Sequence, residues 1–253
     1  MNEPVPVIIT QSGPRGALLR EMLAAEGRIA VHVPLIETRP VEIPRDVLSG
    51  LSSRSFAGWI FTSMPAAKFW LEAMETCGEA LNWRRDSFVC YCIGEATANV
   101  LRRAGLRART FDGVGDAEGL AQALIKHVQP PAAFLFCKGA QALSTLPDLM
   151  RAQSYEIVEV TTYHTRPAEI AADQLTKHAP AILTLFSPSG VQALVSHPEL
   201  RVWVGRSDVW VVPFGETTAL EAERCGLRIA AKPTRPTHEA LIAAIHSILN
   251  LWE

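Results

Sequence analysis

Nowhere in the 253 residues does an apolar run reach the length that a bilayer-spanning helix needs. The start, Met1-Asn2-Glu3-Pro4, lacks the basic stretch and apolar core of a secretory signal. Cysteine is sparse: five residues, an odd number, which fits free and mostly buried thiols in a reducing compartment and makes the cytoplasm the expected location. Cys90 and Cys92 stand at strand spacing on one face, but no His/Cys pair lies nearby in the chain. Core thiols are therefore expected, and no metal site. Charge of neither sign dominates, with 24 Lys and Arg against 26 Asp and Glu and no basic run or acidic tail. That speaks against a nucleic-acid or membrane surface, and a highly charged ligand must be met by local donors. Dinucleotide and phosphate-loop glycine patterns are missing, as are the Gly-x-Ser-x-Gly elbow and the His-Glu-x-x-His zinc helix. The seven histidines are scattered, and no nucleotide or other cofactor is expected.

What is present is ordinary globular composition, 48% apolar and 20% charged, in a chain long enough for two compact domains. Short β-branched runs alternate with helical stretches. Strands are predicted at Val5–Thr10, 29–33, 57–61, 88–92, 132–136, 155–160, 182–186 and 208–212. Near-continuous apolar strands alternating with helices predict an α/β fold whose parallel sheets are covered on both faces.

The chain also repeats itself. Gly94-Glu95-Ala96-Thr97-Ala98 recurs as Gly215-Glu216-Thr217-Thr218-Ala219. Gly105-Leu106 matches Gly226-Leu227, and Glu118-Gly119-Leu120 matches Glu239-Ala240-Leu241, at the same offset. Phe61-Thr62-Ser63 corresponds to Phe186-Ser187-Pro188, and Met22 to Val33 lines up with Leu149 to Val160. A period this long means two domains of one plan, not a solenoid. The repeat permits tandem domains meeting near Pro130-Pro131, or a chain that leaves the first domain, builds the second and returns. Pro34, Pro40 and Pro44 after the first βαβ unit, and Pro167 after its counterpart, favour the second arrangement. The resulting division is 1–33 plus 170–253 for one domain and 44–160 for the other. The segments 34–43 and 161–169 form a two-stranded crossover linker, with Pro34–Thr38 and Tyr163–Pro167 as its strands. The ligand is expected in the cleft between the domains.

Each copy sets polar helix starts after its strands: Thr62-Ser63 before a helix with Pro65 in its first turn, Ser187-Pro188-Ser189-Gly190, Gly94-x-x-Thr97 and Gly215-x-x-Thr218. Any one of these residues is an ordinary N-cap. Four of them, paired by the repeat at the carboxyl ends of parallel strands, suit a small polyanion held on backbone N–H groups and helix dipoles.

The same segments resemble the uroporphyrinogen-III synthase family across nearly the whole chain. The likeness runs through Val33-Pro34-Leu35-Ile36-Glu37, Trp59-Ile60-Phe61-Thr62-Ser63 and Ile93-Gly94-Glu95-Ala96-Thr97-Ala98. It continues through Thr162-Tyr163-His164-Thr165, Leu185-Phe186-Ser187-Pro188-Ser189-Gly190, Gly215-Glu216-Thr217-Thr218-Ala219 and the stretch from Pro233 to Leu241. The resemblance implies two similar α/β domains joined by a two-stranded linker, one domain built from both chain ends. It implies a cyclising hydro-lyase of tetrapyrrole biosynthesis acting on hydroxymethylbilane, a linear molecule with eight carboxylates. Tyr163 is the implied catalytic proton donor, since a phenol is ordinarily protonated at neutral pH. Thr62, Ser63, Gly94, Thr97, Lys138, Ser187, Ser189, Gly215, Thr217 and Thr218 are the implied substrate contacts. Two departures stand out. Members often carry Thr-Arg where this chain has Thr10-Gln11, and an Arg where it has Lys138 before Gly139. Lys keeps the charge but loses the planar fork that grips a carboxylate with two bonds. A monomer is expected, with a transient handover from hydroxymethylbilane synthase. Two rivals are weighed against the cyclase: a non-catalytic sensor of an anionic molecule on the same fold, and a nucleotide-using transferase.

Overall fold

A computed structural model describes residues 4–76 and 88–252; Cys77 and Trp83 lie outside the described residues. In chain order the strands are β1 (Val7–Ile9), β2 (Ala30–His32), β3 (Ile36–Pro40), β4 (Gly58–Phe61), β5 (Val89–Cys92), β6 (Ala108–Arg109), β7 (Ala133–Gly139), β8 (Glu156–Pro167), β9 (Ala181–Leu185) and β10 (Val209–Pro213). The helices are α1 (Pro14–Ala25), α2 (Arg45–Ser52), α3 (Met64–Thr76), α4 (Glu95–Arg103), α5 (Ala117–His127), α6 (Thr145–Arg151), α7 (Asp173–Thr176), α8 (Pro188–Ser196), α9 (Pro198–Val204), α10 (Glu216–Arg224) and α11 (His238–Trp252). The chain divides into two compact units: Met1–Glu37 with Arg166–Glu253, and Thr38–Thr165. Both divisions fall inside strands, β3 and β8.

The first unit carries a sheet of order β10-β9-β1-β2. Its strands are parallel, with Ile8 opposite Val31 on one side and Leu183 on the other. Alternate residues supply two cores: Ile8, Leu183 and Val211 on one face, Val7, Ile9, Ile182 and Val212 on the other. The second unit shows the same order, β5-β4-β7-β8, extended by β6 and β3 at its edges. Trp59, Phe61, Cys90, Cys92, Leu135 and Cys137 face one core, and Ile60, Tyr91, Phe134 and Phe136 the other. This two-sided burial explains why the strands read as continuous apolar runs.

Local devices repeat with the topology. Gly105 (φ 79°) and Gly226 (φ 78°) close α4 and α10 in the left-handed region that glycine adopts without strain. The edge contact of Ala108 with Cys90 recurs as the isolated bridge of Ile229 to Val211. Trp59 stacks on Phe88 at 3.8 Å between ring centroids and meets Trp70 edge-on at 5.5 Å, so these tryptophans are core packing. Burial pushes the Cys92 thiol up to about 12, as befits an inert core residue.

Four strand expectations are corrected. β1 covers only Val7–Ile9 and is shorter than Val5–Thr10. The first linker strand, β3, covers Ile36–Pro40 and not Pro34–Thr38, and the two-residue β6 has no signal in the sequence. Tyr163–Pro167 is not a separate strand but the end of the twelve-residue β8. The run from Ile157 to Thr162 is rich in β-branched residues and meets no breaker before Pro167, so one strand continues through.

Candidate functional site

In each unit the strand order reverses once: between β4 and β7 in one, between β9 and β1 in the other. Open α/β sheets place ligands outside the carboxyl ends of the strands that flank such a point.

In the second unit these ends carry Thr62-Ser63 and Lys138-Gly139. Ser63 precedes α3, and its Oγ accepts the Ala66 N–H at 3.3 Å. The Tyr163 hydroxyl lies 3.1 Å from the same Oγ. Tyr163 is half-buried, with its ring 6.1 Å from that of Phe69. Its opposite side rests on Gly139, where a β-carbon would stand 2.6 Å from the phenol Cζ and 2.8 Å from its oxygen. The β7–β8 register shifts between Lys138 and Gly139, which brings Tyr163 opposite Gly139. A bulge that re-aims a side chain at a functional edge is a recurrent device. Lys138 is not turned to an open site: its Nζ pairs with Glu159 Oε2 at 2.6 Å, and Arg151 takes the other oxygen at 2.7 Å. Burial pushes the Glu159 carboxyl up, but hydrogen bonds and charge from Lys138 and Arg151 outweigh it and hold the pKa below the ordinary value.

In the first unit the equivalent ends carry Thr10-Gln11 and Phe186-Ser187. Buried Thr10 and Thr184 tie β1 to β9 through side-chain bonds to the Thr184 and Ile8 carbonyls, at 2.6 and 2.9 Å. Ser187 caps α8 by accepting the Gly190 N–H at 3.1 Å. The Gln11 carbonyl accepts from His32 Nε2 at 2.6 Å, and the Gln11 side-chain oxygen lies 2.9 Å from His238 Nε2. Phe186, Phe214 and His238 form a ring cluster with centroids 5.0–6.5 Å apart.

The second pair of helix starts is nearly identical in the two units. Gly94 and Gly215 sit in extended backbone ahead of α4 and α10. Their carbonyls each accept from the threonine three residues on, at 3.1 Å. Thr97 and Thr218 are 6% and 2% exposed, so their hydroxyls point into the fold, whereas Thr217 is exposed and Ser189 half-buried. Nothing stands within 4 Å of a β-carbon built on Gly94. The missing side chain leaves the first N–H groups of α4 uncovered. Beside Gly215 a cavity of about 250 Å³ is lined by Phe214, Glu216, Lys232 and Arg235.

His238 and Arg235 escaped the reading of the chain. His238 reaches Gln11 across 227 positions, and no spacing rule spans that distance. Arg235 is one of many arginines, flanked by prolines. Among the described residues no cluster of three or more His, Cys, Asp or Glu has metal-binding proximity, and no helix is long and apolar enough to cross a membrane.

A solved uroporphyrinogen-III synthetase from Helicobacter pylori 26695 superposes with a TM-score of 0.66 at 16% identity, covering 97% of this chain and all of that one. A mutant uroporphyrinogen III synthase from Thermus thermophilus superposes at 0.62, also at 16% identity, over 97% of this chain and 99% of that one. These two establish the fold. In sequence, the uroporphyrinogen-III synthase of Chlorobaculum parvum is 25% identical over 239 residues, which is 90% of this chain and 92% of that protein. The family model described as uroporphyrinogen-III synthase HemD matches residues 18–243. That span takes in the Tyr163 strand and all four polar helix starts, and it places this chain in the uroporphyrinogen-III synthase family.

Proposed function

We propose that this protein closes hydroxymethylbilane to uroporphyrinogen III, with Tyr163 as the group that assists loss of the terminal hydroxyl. The observation that carries the assignment of the donor is the Tyr163 hydroxyl, 3.1 Å from Ser63 at the head of α3 and seated on Gly139.

The reaction begins when the bond between the terminal methylene and its hydroxyl breaks. The phenol of Tyr163 supplies a proton and the oxygen leaves as water. The remaining azafulvenium cation is attacked by the last ring through its substituted carbon, which gives a spiro intermediate. That intermediate fragments and recloses with the ring inverted, and a ring proton lost on rearomatisation restores the phenol. The uncatalysed bilane closes without inversion, so the protein's task is to favour one of two cyclisations. Holding the reacting ends together supplies on the order of 7–11 kcal/mol in favourable systems.

The eight carboxylates of the substrate require donors rather than one strong ion pair. Backbone N–H groups at the starts of α3, α4, α8 and α10 are suited to this, with Thr62, Ser63, Ser189 and Thr217 as accessible side-chain donors. Thr97 and Thr218 act by fixing the glycine turns from below. Lys138 serves through its bond to Glu159, shaping the Tyr163 strand, and not by gripping a carboxylate. We further place the protein in the cytoplasm as a monomer that receives its unstable substrate from hydroxymethylbilane synthase.

The test supplies hydroxymethylbilane made in situ, oxidises the products and separates the porphyrin isomers. Type III in excess of the type I background is the expected outcome. Only type I, from folded protein, removes the catalytic claim.

A further inference from the structure

A binding group in the first unit is prepared in a way that the family resemblance does not describe. Gln11 follows β1 at the strand-order reversal. His32 Nε2 bonds to its carbonyl at 2.6 Å, a bond in which the ring nitrogen must donate. A β-carbon on buried Gly16 would collide with that carbonyl and with His32, so α1 packs directly onto the turn and fixes it. The side chain of Gln11 is half-buried, and its oxygen faces His238 Nε2 at 2.9 Å. His238 is 8% exposed, walled by Phe186 and Phe214. Burial, with Arg15 nearby, lowers its pKa, so the ring is neutral at neutral pH. The raising influence of Glu239 is the smaller one.

A neutral imidazole that donates from Nε2 to the amide oxygen leaves both amide hydrogens of Gln11 pointing away. Among the described residues these hydrogens have no acceptor. Arg15, in the first turn of α1, adds an exposed positive charge close enough to act on His238.

We propose that His238 orients the Gln11 amide as a two-hydrogen donor, and that Gln11 with Arg15 forms a carboxylate subsite beside the Phe186–Phe214 wall. His238 is a positioning residue and Gln11 a binding residue. The identity of the bound carboxylate as one borne by the bilane rests on the function proposed above; the donor geometry does not.

Three measurements test it on the whole protein. Nitrogen-15 spectra of the histidines above the His238 pKa should show Nε2 protonated and Nδ1 bare. Titration with succinate should move the Gln11 side-chain amide signals in wild type and not in Arg15→Ala. In the isomer-resolved assay, Gln11→Ala should raise KM about tenfold, as expected for loss of a hydrogen bond to a charged group, with kcat nearly unchanged. His238→Leu should raise KM in the same direction, and His238→Gln, which retains a donor, should restore it. A His238 ring protonated only at Nδ1, or unchanged KM in Gln11→Ala, overturns the subsite while leaving the cyclase intact. A wild type that makes only type I removes the bilane as ligand, and the tautomer and succinate arms then decide the subsite by themselves.

Discussion

The two units share one strand order, one pair of glycine helix starts and one pair of glycine helix stops, yet differ at the reversal point. In the second unit the strand end carries Lys138, neutralised by Glu159 from the neighbouring strand and backed by Arg151. The matching positions in the first unit hold Gln11 and His32, with the His32 ring bonded to the Gln11 backbone carbonyl and no carboxylate between them. The helix-start serines differ in the same sense. Ser187 meets a backbone N–H, whereas Ser63 meets a backbone N–H and a phenol. The two copies thus share the scaffold, while the polar side chains at their strand ends differ: an ion-paired cluster in one, an amide and an imidazole in the other.

The largest test of this asymmetry is Tyr163→Phe. Turnover should fall on the order of 10³-fold, the range of a lost general acid, with thermal stability nearly unchanged. Equal activity would place the chemistry elsewhere. Gly139→Ala should follow, with turnover down about a hundredfold from displacement of the phenol, because small misplacements of reacting groups cost that much. Unaltered activity would show that Tyr163 is not held by the bulge.

Glu159→Gln addresses the ion pairs, and a loss of about 1–2 kcal/mol at neutral pH is expected. The sign with pH follows from the lowered pKa of Glu159. Its contribution is complete above the ordinary carboxylate pKa and disappears as pH falls through the folded value. Acid unfolding of the variant should therefore be less steep below about pH 5 than that of wild type. Parallel curves would mean the cluster adds nothing.

Ser63→Ala and Ser187→Ala should each cost about 1 kcal/mol as lost caps. In kinetics they should part: Ser63→Ala lowers kcat, Ser187→Ala only raises KM. The smallest effect belongs to Ser154. It holds φ 66° at the position where the repeat has Gly27, φ 73°. Ser154→Gly should raise stability by about 0.5–1 kcal/mol, a shift of about 1–4 °C in Tm, since a serine adopts that conformation at a cost.

Much of this was legible in the chain. Two-sided burial writes itself as apolar runs, and Gly105 and Gly226 at one offset mark both copies because only a left-handed turn requires them. The helix starts at Ser63, Gly94, Ser187 and Gly215 follow from local capping chemistry. What local pattern does not encode is which way a side chain turns. Thr97 and Thr218 look like Thr217 in sequence but are buried by the helical phase. Lys138 reads as a substrate contact until the parallel register sets Phe136 opposite Glu159 and delivers the protein's own carboxylate to it. The Gln11–His238 contact joins the two ends of the chain, and depends on the whole sheet being assembled.

That assembly has an order imposed on it. β1 lies inside its sheet, flanked by β2 on one side and β9 on the other. During synthesis from the amino end, β1 and β2 precede β9 and have one apolar edge unpaired while the contiguous stretch 38–165 emerges. Only when residues near 181–185 appear can the first unit gain its third strand. A strand edge of the first unit therefore stays unpaired for as long as the second unit takes to be made. The apolar Val-Ile-Ile of β1 makes that edge prone to mispairing until β9 covers it.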